Sequence, residues 1–72
     1  MKYNVNQKVK IALESQHVNQ GLSDGIQMEG TIINLNQCSL YQYKITWSNG
    51  QTNNYREEDL LPYNTEPNYE IY

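Results

Sequence analysis

The sequence has no phenylalanine, one tryptophan, one cysteine and one histidine in 72 residues. A lone thiol, Cys38, excludes an intramolecular disulfide and any metal site built from several thiolates. His17 lies in a polar stretch with Gln16 and Asn19, without a sequence-adjacent partner for nucleophilic or metal chemistry, and is expected in solvent. Cys38 falls in a turn with no cation nearby to activate it and is expected to be a half-buried, unreactive residue. Cations are scarce: five Lys and Arg face eight Asp and Glu, for a net charge of −3, and only Lys8 and Lys10 stand close together. Duplex nucleic acid is bound mainly through neutralised phosphates, so this balance disfavours it. No apolar run reaches signal-peptide or transmembrane length, which predicts a soluble, cytoplasmic protein of a reducing compartment.

What the sequence does have is tyrosine, seven in all, and a large share of Asn and Gln spread through it. Apolar residues make up 38% of the chain. In so short a chain most of them are needed for one modest core, which leaves little room for an enclosed active site. The most informative stretch runs from Tyr43 to Tyr55. Apolar and polar residues alternate from Tyr43 to Ser48, Asn49-Gly50 interrupts, and a second short run follows. Period two marks a half-buried strand, and Asn-Gly supplies the two positive-φ residues of a type I′ turn, so a β-hairpin is predicted.

Other strands follow from the same logic. Residues 9–13 alternate and form the first strand. Residues 30–35 are β-branched and form the second, with Gly30 suited to a bulge or sharp bend at its entry. A turn at 36–39 leads into the third strand, 40–48, on which Tyr41, Tyr43, Ile45 and Trp47 share the core face while Lys44, Thr46 and Ser48 face out. Residues 51–55 form the fourth strand. Arg56 to Asp59 suits a single 3₁₀ turn, and Leu60, Leu61, Pro62 and Tyr63 form a brief closing strand held to an edge by Pro62. Residues 14–28 show no helical spacing and are expected to be a long loop, bent toward a strand end near Ile26 and Met28. Five short strands with a 3₁₀ turn before the last predict an all-β domain over residues 1–63, a small five-stranded SH3-like barrel, followed by a polar C-terminal tail over 64–72. An open antiparallel sheet that needs a dimer partner is the rival architecture.

Gly30-Thr31-Ile32, Ile45-Thr46-Trp47-Ser48-Asn49-Gly50, Asn53-Asn54-Tyr55-Arg56 and Asp59-Leu60 together resemble the domain shared by the Mind bomb and HERC ubiquitin ligases. That resemblance spans about 30–61. The segment before the second strand, Gln20 to Gly25, departs from that family's Trp- and Gly-rich pattern, and the spacing from Arg56 to Asp59-Leu60 is compressed. Tudor-like and KOW-like barrels, and the small stromal barrel protein of photosystem I, are similar in hairpin and closing strand. The resemblance implies a barrel that docks other macromolecules, and no reaction.

The expected function is therefore a non-enzymatic module that docks a protein or peptide, without cofactor or metal, as a monomer or weak homodimer. Candidate contacts are Trp47, Tyr55, Tyr63, Arg56 and Lys44, with the loop at 20–27. Aromatic side chains around a cation contribute on the order of 1 kcal/mol each, so a cage for methylated lysine is the sharper form of this idea. Aromatics filling a Phe-free core are its plainer counterpart. Strand addition along an exposed sheet edge is the expected mode of docking. Two alternatives remain. One is a single-stranded nucleic-acid binder using stacked aromatics with Lys44, Lys10 and Arg56. The other is a structural component of a larger complex. Glu57, Glu58 and Asp59 form a carboxylate run, but a surface turn gives them neither pocket nor perturbing environment for acid-base work.

Overall fold

The computed structural model describes residues 2–63; the tail at 64–72 lies outside them. The fold is all-β. Strands β1 (Lys8–Ile11), β2 (Leu22–Ser23), β3 (Ile26–Gln27), β4 (Gly30–Leu35), β5 (Tyr43–Trp47), β6 (Thr52–Tyr55) and β7 (Leu60–Pro62) are joined by turns, with 3₁₀ turns at Val18–Gly21 and Glu57–Asp59. Five strands form one antiparallel sheet in the order β6-β5-β4-β1-β7, and β2 and β3 form a separate hairpin. Among the described residues the hydrogen-bonded ladder stops at β6 and β7, which are the two edges of an unclosed sheet. No helix among these residues is long and apolar enough to cross a membrane.

The core follows the alternation. Tyr43, Ile45 and Trp47 of β5 are buried, as are Val9, Ile11, Ile32, Tyr55 and Leu60 from the neighbouring strands. Tyr41, expected on the same face, is instead 40% exposed because β5 begins only at Tyr43 and the preceding chain has left the pleat. Tyr3 is buried although it lies outside any strand. Its ring meets Tyr43 edge-on at 5.6 Å, and its hydroxyl donates to the Leu60 carbonyl at 3.1 Å. Gly30 is needed for space rather than for a bend. A Cβ there would sit 2.6 Å from both Ile45 and the Trp47 ring, so the missing side chain is what lets the indole lie against β4. The bulge in this strand lies further on, between Ile32 and Asn34, where Ile33 is the extra residue.

Two turns differ from expectation. In the β5–β6 hairpin Gly50 has φ +91°, but Asn49 is not among the positive-φ residues. The Gly50 amide donates to the Trp47 carbonyl at 2.9 Å and the Trp47 amide to the Gln51 carbonyl at 2.7 Å. That is a three-residue connection closed by a left-handed glycine, and Asn49 contributes through its side chain, whose Oδ1 accepts from the Gln51 amide at 3.0 Å. The two-residue turn with both φ values positive occurs at Asp24 (53°) and Gly25 (77°), which join β2 and β3. The stretch at 14–28 is thus a 3₁₀ turn followed by a tight hairpin, not a plain loop.

Candidate functional site

Of the five residues expected to meet a partner, two are interior. Trp47 is 3% and Tyr55 1% exposed. Their rings meet edge-on at 5.6 Å, the indole Nε1 donates to the Tyr55 hydroxyl at 3.0 Å, and that hydroxyl donates to Gln20 Oε1 at 2.9 Å. Burial pushes the Tyr55 hydroxyl above its usual range. These aromatics satisfy one another inside the domain, so an aromatic cage using Trp47 and Tyr55 is ruled out by their burial. Alternation placed Trp47 inside. Tyr55 is inward because it lies opposite Tyr43 in the ladder, while the partner of its hydroxyl, Gln20, is 35 residues away, a contact that no local pattern encodes.

Arg56 is drawn to the Glu57–Asp59 turn. Its guanidinium lies 3.3 Å from Glu58 and 3.6 Å from the buried Asp59. Asp59 Oδ1 also accepts from the Ser15 hydroxyl at 2.9 Å. With Glu14 and Gln16 these side chains line a polar cleft of about 390 Å³ whose cation and nearest carboxylates already engage one another. Among the described residues no three His, Cys, Asp or Glu side chains group as a metal site requires. Glu57 is likewise occupied: its Oε1 accepts from the Tyr43 hydroxyl at 3.0 Å and from the Lys2 amide at 3.2 Å. Burial raises the Tyr43 hydroxyl as it does that of Tyr55. Tyr63 is half-buried at the far edge, where its amide donates to the Lys8 carbonyl at 3.0 Å. The five candidate residues therefore do not converge.

Two further expectations are corrected. His17 is half-buried rather than in solvent, with its ring 6.0 Å from Tyr55 and 6.4 Å from Tyr41. Trp47, Tyr55, His17 and Tyr41 form a line of edge-on rings from core to surface. Cys38 is exposed rather than half-buried.

Lys44 alone among the predicted residues stands fully on the outer face. It is paired across the sheet with Asn34 on β4 and Asn54 on β6. This row lines a cleft of about 200 Å³ with Leu35, Asn36, Tyr41 and Gln42. Among the described residues Lys44 is the cleft's only charged side chain, and four of its lining residues are amides. The cleft opens beside β6, a sheet edge whose Thr52, Asn53 and Asn54 are exposed.

The two edges of the sheet are not alike. In an antiparallel pair, residues alternate between bonding across the ladder and presenting their backbone groups to the other side. The Trp47–Gln51 bond sets this alternation for β6, so Asn53 and Tyr55 bond to β5 while Thr52 and Asn54 direct N–H and C=O outward. On β7 the Tyr63–Lys8 bond and the Ala12 amide donating to the Asp59 carbonyl set it, so Leu60 and Pro62 point outward. Pro62 has no N–H to offer, and the Leu60 carbonyl is taken by the Tyr3 hydroxyl. Among the described residues, β7 is sealed and β6 is open.

The fold has a solved counterpart. The NMR structure of Bacillus subtilis protein YorP superposes on this chain with a TM-score of 0.69 and 21% sequence identity, covering 99% of this chain and 81% of that one. At that identity the likeness establishes a shared fold. No protein-family model matches the chain, and no curated protein does. The candidate site therefore rests on its own geometry: an open edge, with an amide-lined cleft and one lysine beside it.

Proposed function

We propose that this chain is a non-enzymatic docking module of the reducing cytoplasm, an SH3-like barrel that accepts an extended protein segment along β6. The strand order and the 3₁₀ turn before the last strand support the barrel reading. The observation that carries the docking reading is the contrast between edges. Proteins blunt sheet edges to avoid unwanted pairing, and this one blunts β7 while leaving the outward groups of Thr52 and Asn54 accessible on β6. In strand addition such main-chain groups supply affinity and the adjoining side chains supply selectivity. A nucleic-acid role is less well supported, since Trp47 and Tyr55, the aromatics it would stack on, are interior.

Affinity capture with the tagged chain from its own host, at low and moderate salt, tests the docking role. A protein retained at moderate salt by the parent and lost by a folded Asn54→Pro variant is the expected result, because that change deletes an outward N–H without touching the β5–β6 ladder. Nucleic acid that elutes as salt rises, with no protein retained, would overturn it.

A further inference from the structure

The cleft beside β6 has a chemistry that selects among extended segments. We infer that the strand received by β6 is an acidic one, with an Asp or Glu at the position facing outward next to Asn54, where its carboxylate meets Lys44. This inference rests on the docking role proposed above and adds the class of partner.

Asn34, Lys44 and Asn54 lie in one row across three neighbouring strands on the outer face. A strand added at β6 extends that row by one position, and because Asn54 directs its backbone groups outward, the incoming residue opposite it presents its side chain to the same face. That residue stands two strand spacings, roughly 10 Å, from Lys44, a gap that extended Lys and Glu side chains bridge between them. Among the described residues no carboxylate lines the cleft. The amides of Asn34, Asn36, Gln42 and Asn54 supply donors for the remaining carboxylate oxygens and for main-chain carbonyls.

The rest of the outward-facing strand surface has the same sign. Lys8, Thr31, Thr46 and Thr52 make a second cross-strand row, with Lys8 Nζ donating to Thr31 Oγ1 at 2.7 Å and the Thr52 and Thr46 hydroxyls 3.4 Å apart. Lys10 lies on the same strand face as Lys8. Lys8 and Lys44 are thus on one sheet face whose strand residues, among those described, include no Asp or Glu. Of the carboxylates outside this face, Glu57, Glu58 and Asp59 are already bonded to groups of this chain. At physiological salt, repulsion from charges more than about 8 Å away is largely screened, so the local field at the cleft decides the contact. A second copy of the chain is a poorer occupant. β6 is only four residues long, and a pairing of that length buries far less than the roughly 1,200 Å² of a stable dimer.

The test uses the full chain, isotopically labelled, titrated separately with two blocked octapeptides, one of alternating Val and Glu and one of alternating Val and Lys, and with inorganic phosphate. Expected are shifts and slowed exchange at the Thr52 and Asn54 amides with the Val-Glu peptide, weaker effects with Val-Lys, and none at these amides with phosphate. Lys44→Glu should weaken the Val-Glu peptide about fivefold and reverse the preference, while Asn54→Pro should abolish binding of both. Equal affinity for the two peptides, or a preference unchanged by Lys44→Glu, would overturn the acidic-partner inference and leave strand docking standing. Absence of any response at Thr52 and Asn54 to either peptide would overturn both. Shifts at those amides on raising protein concentration alone would mean that a second copy occupies the edge.

Discussion

At the scale of single residues, the tyrosines are structural groups with hydroxyls aimed at specific partners. Tyr55 shows how much rests on one oxygen, which accepts from Trp47 Nε1 and donates to Gln20. Tyr55→Phe would keep the ring and strand the buried indole N–H, at a cost of about 1–3 kcal/mol. Chemical denaturation of the variant should show this, and a simultaneous Trp47→Phe change should recover part of the loss. The raised Tyr43 and Tyr55 hydroxyls give a direction for pH. Burial lifts both above the value of 10.0 they would have when unfolded. Below that value the hydroxyls are protonated in both states and the stabilisation is complete. As pH rises past it and through the folded-state values, the unfolded chain loses protons first and stability falls. Urea midpoints measured from neutral into alkaline conditions should decline in that window, and less so in Tyr43→Phe. Asp59 provides a third case. Being buried and bonded to Ser15 with Arg56 alongside, it should cost about 2–3 kcal/mol when changed to Ala. Glu58→Ala, at an exposed partner of the same arginine, should cost under about 1 kcal/mol.

At the scale of elements, period-two alternation was the readable signal, and it failed where the chain leaves the pleat. β4 runs from Gly30 to Leu35, as its β-branched content indicates, and the inward set Tyr43, Ile45 and Trp47 follows from counting. Tyr41 fails the same count because it precedes the first ladder pair of β5. The Asp24-Gly25 turn carried a hairpin signal as strong as Asn49-Gly50, but its flanking strands are two residues each, too short for any alternation to show. The candidate site was legible only in part. Lys44 was placed outward by alternation, whereas the open and sealed edges depend on ladder phase, which a sequence does not print. Ladder phase makes a sharp prediction on β6. Asn53→Pro deletes a bonded N–H and should destabilise by about 1–3 kcal/mol, while Asn54→Pro, one residue on, should be much milder. Similar losses from the two variants in thermal unfolding would mean that the register is shifted. Gly50→Val should be costly as well, by about 1–3 kcal/mol, since a β-branched residue is strained at φ +91°.

At the scale of the whole molecule, Glu57, Glu58 and Asp59 meet at the corner formed by the second 3₁₀ turn, and Lys8, Lys10 and Lys44 lie on the outer sheet face. Ordering on this scale is achieved with few residues, because Tyr3, Tyr43 and Tyr55 each fill core volume and also tie distant backbone or side chains together through their hydroxyls. A domain so assembled should unfold as a monomer. Its melting temperature is expected to be independent of protein concentration over a hundredfold range, and a rise with concentration would indicate self-association.

The proline and the tyrosine hydroxyl that close β7 have a consequence for valence. A sheet with two open edges is a link: each molecule that adds a strand exposes a fresh edge of its own, and the chain of additions has no natural end. Here one side is stopped. On the docking role proposed above, a segment that joins β6 would meet a molecule that passes nothing on through its opposite side, so occupancy would end at one segment per domain.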